Sequence, residues 1–110
     1  MAAAAASLTL PAGAFGHAGV KSRSPKPNSS VSAPRAVTVT FEEAVLDANL
    51  SVAEAGGGKV ATGPRTMLRR KTRVRVRLSP KLSPGTYRAT VNFLADDGHK
   101  QSSSWTFRVR

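Results

Sequence analysis

A chain of 110 residues with no cysteine and a formal net charge of +11 has the length of one domain. It excludes a disulfide framework and a thiolate metal site, and no apolar run approaches the roughly 20 residues of a membrane-spanning helix. The first sixteen residues carry no charged side chain. All the charge therefore lies beyond them, either as a plain solvated surface or as one that favours nucleic acid, an acidic membrane or an acidic protein patch.

Residues 1–16, MAAAAASLTLPAGAFG, read as an export signal. Ala2 to Leu10 make a short apolar run, and Pro11 and Gly13 break any helix. Ala14 and Gly16 put small residues at the third and first positions before a cut. No Lys or Arg precedes the apolar run, so the true start lies upstream or the signal is weak or truncated. The competing reading is a disordered alanine-rich tail. Cleavage after Gly16 makes His17 the mature N-terminal residue and 17–110 the mature domain.

A short strand is expected around Val20, followed by the turn signal SPKPNSS. Strict alternation then places Val37, Val39 and Phe41 on one strand face, with Thr38 and Thr40 on the other. FEEAVLDANL is the one stretch with room for a helical turn. Another short strand is expected from Leu50 to Ala53. AGGG and TGP mark turns.

RVRVRL alternates again: Val74, Val76 and Leu78 inward, Arg73, Arg75 and Arg77 outward. With Arg69, Arg70 and Lys71 before it, this strand carries a positive stripe. It reads first as a solvated face, which would also guard a sheet edge, and second as an anionic docking surface. Nucleic acid ranks far behind, because aromatics make up 5% of the chain and most fall on the inward pattern.

After SPKLSPG, Tyr87, Ala89, Val91 and Phe93 share a face, as do Trp105, Phe107 and Val109 in the final strand. In LSPGTY the tyrosine follows a Pro-Gly turn, the setting of a tyrosine corner or of an ordinary half-buried tyrosine. The body therefore reads as all-β: a small antiparallel Greek-key sandwich or barrel, immunoglobulin-like or cupredoxin-like.

The chain has two histidines, His17 and His99. Asp97, Gly98 and His99 form a D-x-H triplet in a tight loop, which lets carboxylate and imidazole face one point, a pairing suited to a borderline divalent metal. Such triplets also occur by chance. A mature N-terminal His17 adds its α-amine and its imidazole. Three nitrogens and the Asp97 oxygen form a set that Cu(II) prefers, with one ion per mature chain.

HAGVKSRSPKPNSSVSAPRAVTVTFEEAV resembles the opening of the CopC-type copper-resistance proteins: a mature His-Ala, Pro25 eight residues after His17, and a strand running from Ala33 to Val45. LSPGTYRATVNFLADDGH and WTFRVR resemble the later segments of that family. The resemblance implies a small Greek-key β-sandwich and a Cu(II) site of His17, Asp97 and His99. It implies no enzymatic activity. It also implies a periplasmic carrier or buffer in copper resistance, linked to a membrane copper-transport partner.

Departures from the family pattern are Lys100 in place of a Pro after His99, and Ser103 or Ser104 in place of a Gly before the last strand. With only Met1 and Met67 in the chain, a Met-rich Cu(I) site is not expected. Two other functions compete. One is a copper-dependent oxidase, disfavoured because Asp97 would fill the position an oxidant needs. The other is a metal-free basic sandwich that docks on an anionic partner through Arg73, Arg75 and Arg77.

Overall fold

The computed structural model describes residues 19–78 and 81–110. The expected leader, 1–16, and His17 lie outside the described residues. What is described is all-β, with no helix among the described residues. Nine strands follow in chain order: β1 Val20–Ser24, β2 Ser30–Val31, β3 Ala36–Phe41, β4 Asp47–Glu54, β5 Lys59–Val60, β6 Thr66–Leu68, β7 Arg73–Arg77, β8 Gly85–Leu94 and β9 Lys100–Val109. They form two sheets, ordered β1-β3-β7-β6 and β2-β9-β8-β4-β5.

The pairing is antiparallel except between β2 and β9, which run parallel. The antiparallel sandwich expected from the sequence is what forms, with this one short parallel pair as its exception. β2 is only two residues long and arrives from a crossover rather than a hairpin, so its direction is set by where the chain enters. The helical turn allowed in FEEAVLDANL is also absent. Residues from Asp47 onward alternate exposed and buried as β4, because Ala48, Leu50 and Val52 satisfy a period of two.

The alternating apolar residues build one core between the sheets. Val37, Val39 and Phe41 of β3 and Val74 and Val76 of β7 face Leu50 and Val52 of β4, Tyr87, Val91 and Phe93 of β8, and Trp105 and Phe107 of β9; all are buried. Each such side chain contributes about 1.5–3 kcal/mol by leaving water. The Phe41 and Phe93 rings meet across the sandwich at 4.8 Å. Tyr87 packs on its register partner Phe107, ring centroids 5.9 Å apart. Its hydroxyl donates to the Ser83 carbonyl at 2.7 Å, so LSPGTY does form a tyrosine corner. The Trp105 indole N–H donates to the Pro25 carbonyl, 2.9 Å away. That bond ties β9 to the turn that follows β1, where the Ser24–Pro25 peptide is cis.

Backbone bonds stitch each end of the sandwich. At the upper end, Glu42 N–H donates to Gly19, Phe41 to Thr72, Val45 to Lys71, Leu46 to Leu94 and Ala95 to His99. At the lower end, Leu78 donates to Arg35, Gly63 to Arg77, Ala55 to Thr86 and Arg110 to Val31. The chain enters β1 and turns from β8 to β9 at the same, upper end.

Candidate metal centre

β8 and β9 are the longest strands and pair over ten residues, from Gly85↔Val109 to Leu94↔Lys100. This ladder fixes the loop that closes it, Ala95 to His99. Gly98 N–H donates back to the Ala95 carbonyl, and Ala95 N–H to the His99 carbonyl, both at 2.9 Å. Gly98 sits at φ 91°, a left-handed backbone that a residue with a Cβ adopts only under strain. The tight reversal is what brings residues 97 and 99 to the same side.

Asp97 Oδ1 accepts the His99 backbone N–H at 3.0 Å. Asp97 Oδ2 lies 3.0 Å from His99 Nδ1. With the proton on Nδ1, the ring donates to the carboxylate and Nε2 carries the lone pair. A carboxylate held in this way orients an imidazole toward a metal and raises its basicity. The His99 side chain is 68% exposed and that of Asp97 37%, so the pair is open to solvent. Both residues take part in further interactions as well.

The structure thus brings together two of the three residues expected to bind metal, Asp97 and His99. The third, His17, lies outside the described residues. Among the described residues no group of three or more His, Cys, Asp or Glu side chains is gathered for a metal. The pair matches the chemistry of a borderline divalent ion, one imidazole nitrogen and one carboxylate, and a complete site needs further donors.

Around the pair, the upper end carries charges that the sequence does not mark as neighbours. Glu42 and Glu43 follow β3, Asp47 opens β4, and Asp96 stands in the loop itself. Arg65 donates to the Asp47 carboxylate and to the Ala48 carbonyl. The hydrogen bond from Arg65 and then one from the Ala48 backbone N–H, with the positive charges of Arg65 and Lys71 added, hold the Asp47 carboxyl below its ordinary range.

The basic strand lies where the alternation places it. Arg73, Arg75 and Arg77 are on the outer face of the first sheet, the first two half-buried and the third exposed. None of the three forms an ion pair among the described residues. Arg73 Nε donates to Thr40 Oγ1 on β3 at 3.1 Å. The edge-guarding role is corrected, since β7 is an inner strand with β3 on one side and β6 on the other. Ser103 and Ser104 fall inside β9 rather than before it.

The family model for the CopC domain matches residues 20–110. The chain belongs to the CopC family. CopC proteins are periplasmic copper-binding proteins of copper resistance and are not enzymes. The fold agrees with two solved structures. One is PcoC, a methionine-rich copper resistance protein from Escherichia coli, with 22% identity, a TM-score of 0.75, and coverage of 86% of this chain and 99% of that one. The other is CopC from Methylosinus trichosporium OB3b, with 24% identity, a TM-score of 0.75, and coverage of 84% and 93%. At these identities the likeness is one of fold. A comparison with curated protein sequences finds no significant match. The CopC match covers the D-x-H loop and the basic strand alike, and it begins three residues after His17.

Proposed function

We propose that the mature protein begins at His17 and binds one Cu(II) through the His17 amine and imidazole, Asp97 and His99. It would act as an extracytoplasmic carrier or buffer in copper resistance and exchange the ion with a membrane transport partner. The observation that carries this reading is the meeting, at the upper end, of the chain's entry into β1 and the Asp97–His99 pair. Gly19 accepts from Glu42 there, and His17 precedes Gly19 by two residues, a reach of at most about 7 Å. The strand of Arg73, Arg75 and Arg77 supports an additional contact with an anionic surface.

Asp97 has two roles open to it in this scheme. It either ligates copper directly or holds the His99 ring so that Nε2 does. Either way its removal weakens binding. Proton competition adds a pH dependence: imidazole and α-amine ligate only when unprotonated, so affinity falls as the pH is lowered.

Copper titration tests the scheme on protein starting at His17 and on a form extended by one Met. One equivalent of Cu(II) is expected to bind the first. Binding is expected to weaken at least tenfold in the extended form and in His17→Ala, Asp97→Ala and His99→Ala. Equal affinity of the extended form and of His17→Ala would remove the N-terminal chelate. Full affinity of His99→Ala would remove the site altogether.

A further inference from the structure

The six acidic residues are spread unevenly over the fold. Glu42, Glu43, Asp47, Asp96 and Asp97 all belong to the upper end, where they offset most of the charge of Lys21, Arg65, Arg69, Arg70, Lys71, Arg73 and Lys100. Only Glu54, at the turn into β5, belongs to the lower end. Most of the positive excess of the molecule is therefore on its sides and at its lower end.

Five cations gather at that lower end. Arg35 precedes β3, and its carbonyl accepts from Leu78. Arg77 is the register partner of Ala36, next in the chain to Arg35. Lys81 lines the same depression as Arg35, formed with Ser32, Ala33 and Pro34. Arg108 pairs with Ser30, and Arg110 donates to Val31, both on the strand that leads into this loop. All five side chains are exposed, and none forms an ion pair among the described residues.

We infer that this lower end is a docking surface for an anionic phospholipid bilayer, and that docking leaves the upper end, with the metal pair, facing away from the lipid. The inference deepens the proposed function, since it rests on export of the protein and on copper loading at the upper end. The charge selects an anionic partner. The shape selects among such partners. An acidic protein is normally gripped through aromatic or apolar anchors buried in a pocket, and the described residues of the lower end present no exposed large hydrophobic: the one among the described residues is Leu46, at the upper end. A nucleic acid strand calls for exposed aromatics on which to stack bases, whereas Phe41, Tyr87, Phe93, Trp105 and Phe107 are buried. Lipid headgroups are mobile and need only an exposed cluster of Lys and Arg, with no pocket of matching shape.

Orientation follows from the same asymmetry. At physiological salt charges act over about 8 Å, so a bilayer senses the nearest end of the molecule rather than its net charge. The upper end, whose acids cancel most of its positive charge, is attracted less than the lower end, where five cations face Glu54 alone.

Flotation with phosphatidylglycerol-containing vesicles tests this. The mature protein is expected to float with anionic vesicles at low salt. It should stay behind with pure phosphatidylcholine, and it should be released as salt shortens the screening length. Arg35→Gln combined with Lys81→Gln, Arg108→Gln and Arg110→Gln is expected to weaken vesicle binding at least tenfold. Arg69→Gln combined with Arg70→Gln and Lys71→Gln, at the upper end, is expected to change it less than about twofold. Fluorescence of the buried Trp105 checks that each variant is folded.

Absence of flotation, or an equal loss in both variants, overturns the inference. So does retention on immobilised polyglutamate or DNA without flotation, which would assign the patch to an acidic protein or to nucleic acid. Copper titration of the lower-end variant separates the two readings: unchanged copper binding with lost flotation supports both. Lost flotation together with absent copper binding in the parent protein would overturn the proposed function and leave the docking surface standing.

Discussion

Asp47 shows how a single residue couples the end that carries the Asp97–His99 pair to stability. It opens β4 opposite Leu94 and Lys100's neighbouring strand, and it takes a hydrogen bond from Arg65, which lies in the link before β6. That bond, and Lys71 nearby, hold its carboxyl below the ordinary value, about 3.9 for a free Asp. A carboxyl depressed in the folded state binds fewer protons there than in the unfolded chain. Its contribution is therefore fully present above the unfolded value, and it is lost as pH falls through the folded one. Both partners are well exposed, so solvent screening keeps the contribution small. Urea unfolding midpoints from about pH 6 to about pH 3 are expected to fall less steeply in Asp47→Asn than in the parent. Identical slopes would show that the pair makes no net contribution. Nothing in the sequence links residues 47 and 65. They meet because the link before β6 passes the start of β4. Asp97 and His99, by contrast, were legible as a pair, because one Gly between them leaves the loop few other shapes.

The turn from β6 to β7 is the element least foreshadowed by its residues. Arg69, Arg70 and Lys71 lie at φ 51°, 56° and 67°, a run of three left-handed residues with no Gly or Asn among them. Each costs about 1–2 kcal/mol in that region. Thr72 closes the turn, its N–H and its hydroxyl both donating to the Arg69 carbonyl. Arg70→Gly relieves one strained position but gives the unfolded chain more freedom to lose. The net expectation is a gain of about 0.5–1 kcal/mol, read as a higher denaturation midpoint. A loss of stability would mean that the Arg70 side chain makes contacts worth more than the strain.

Strands with strict alternation, such as 37–41, 73–78 and 87–93, were legible because burial on one face imposes a period of two. β2, β5 and β6 were not. They have two or three residues each, too few to show any period, and they exist only because longer strands offer them an edge. β6 was further hidden by the basic run behind it, which reads as a continuous charged stripe rather than as strand, turn and strand.

At the scale of the whole molecule, a net charge of +11 conflicts with binding a divalent cation until the charges are placed. The acids at 42, 43, 47, 96 and 97 are far apart in sequence, and only the backbone bonds that join Gly19, Lys71, Leu94 and His99 to their partners bring them to one end. Composition could not reveal this, because it follows from the crossing of the chain between sheets. With screening over about 8 Å at physiological salt, an approaching Cu(II) responds to these neighbours more than to arginines at the lower end. Glu42 and Glu43 are exposed and stand outside the proposed ligand set. In stopped-flow measurements, Glu42→Gln combined with Glu43→Gln is expected to slow Cu(II) association several-fold at low salt, with little change in dissociation, and the difference should shrink as salt is added. Removing positive charge at the lower end, by Arg35→Gln and Arg110→Gln, is expected to leave the association rate nearly unchanged. If the lower-end variant instead speeds association as much as the acid variant slows it, the ion is responding to total charge, and the uneven placement of the acids has no part in loading.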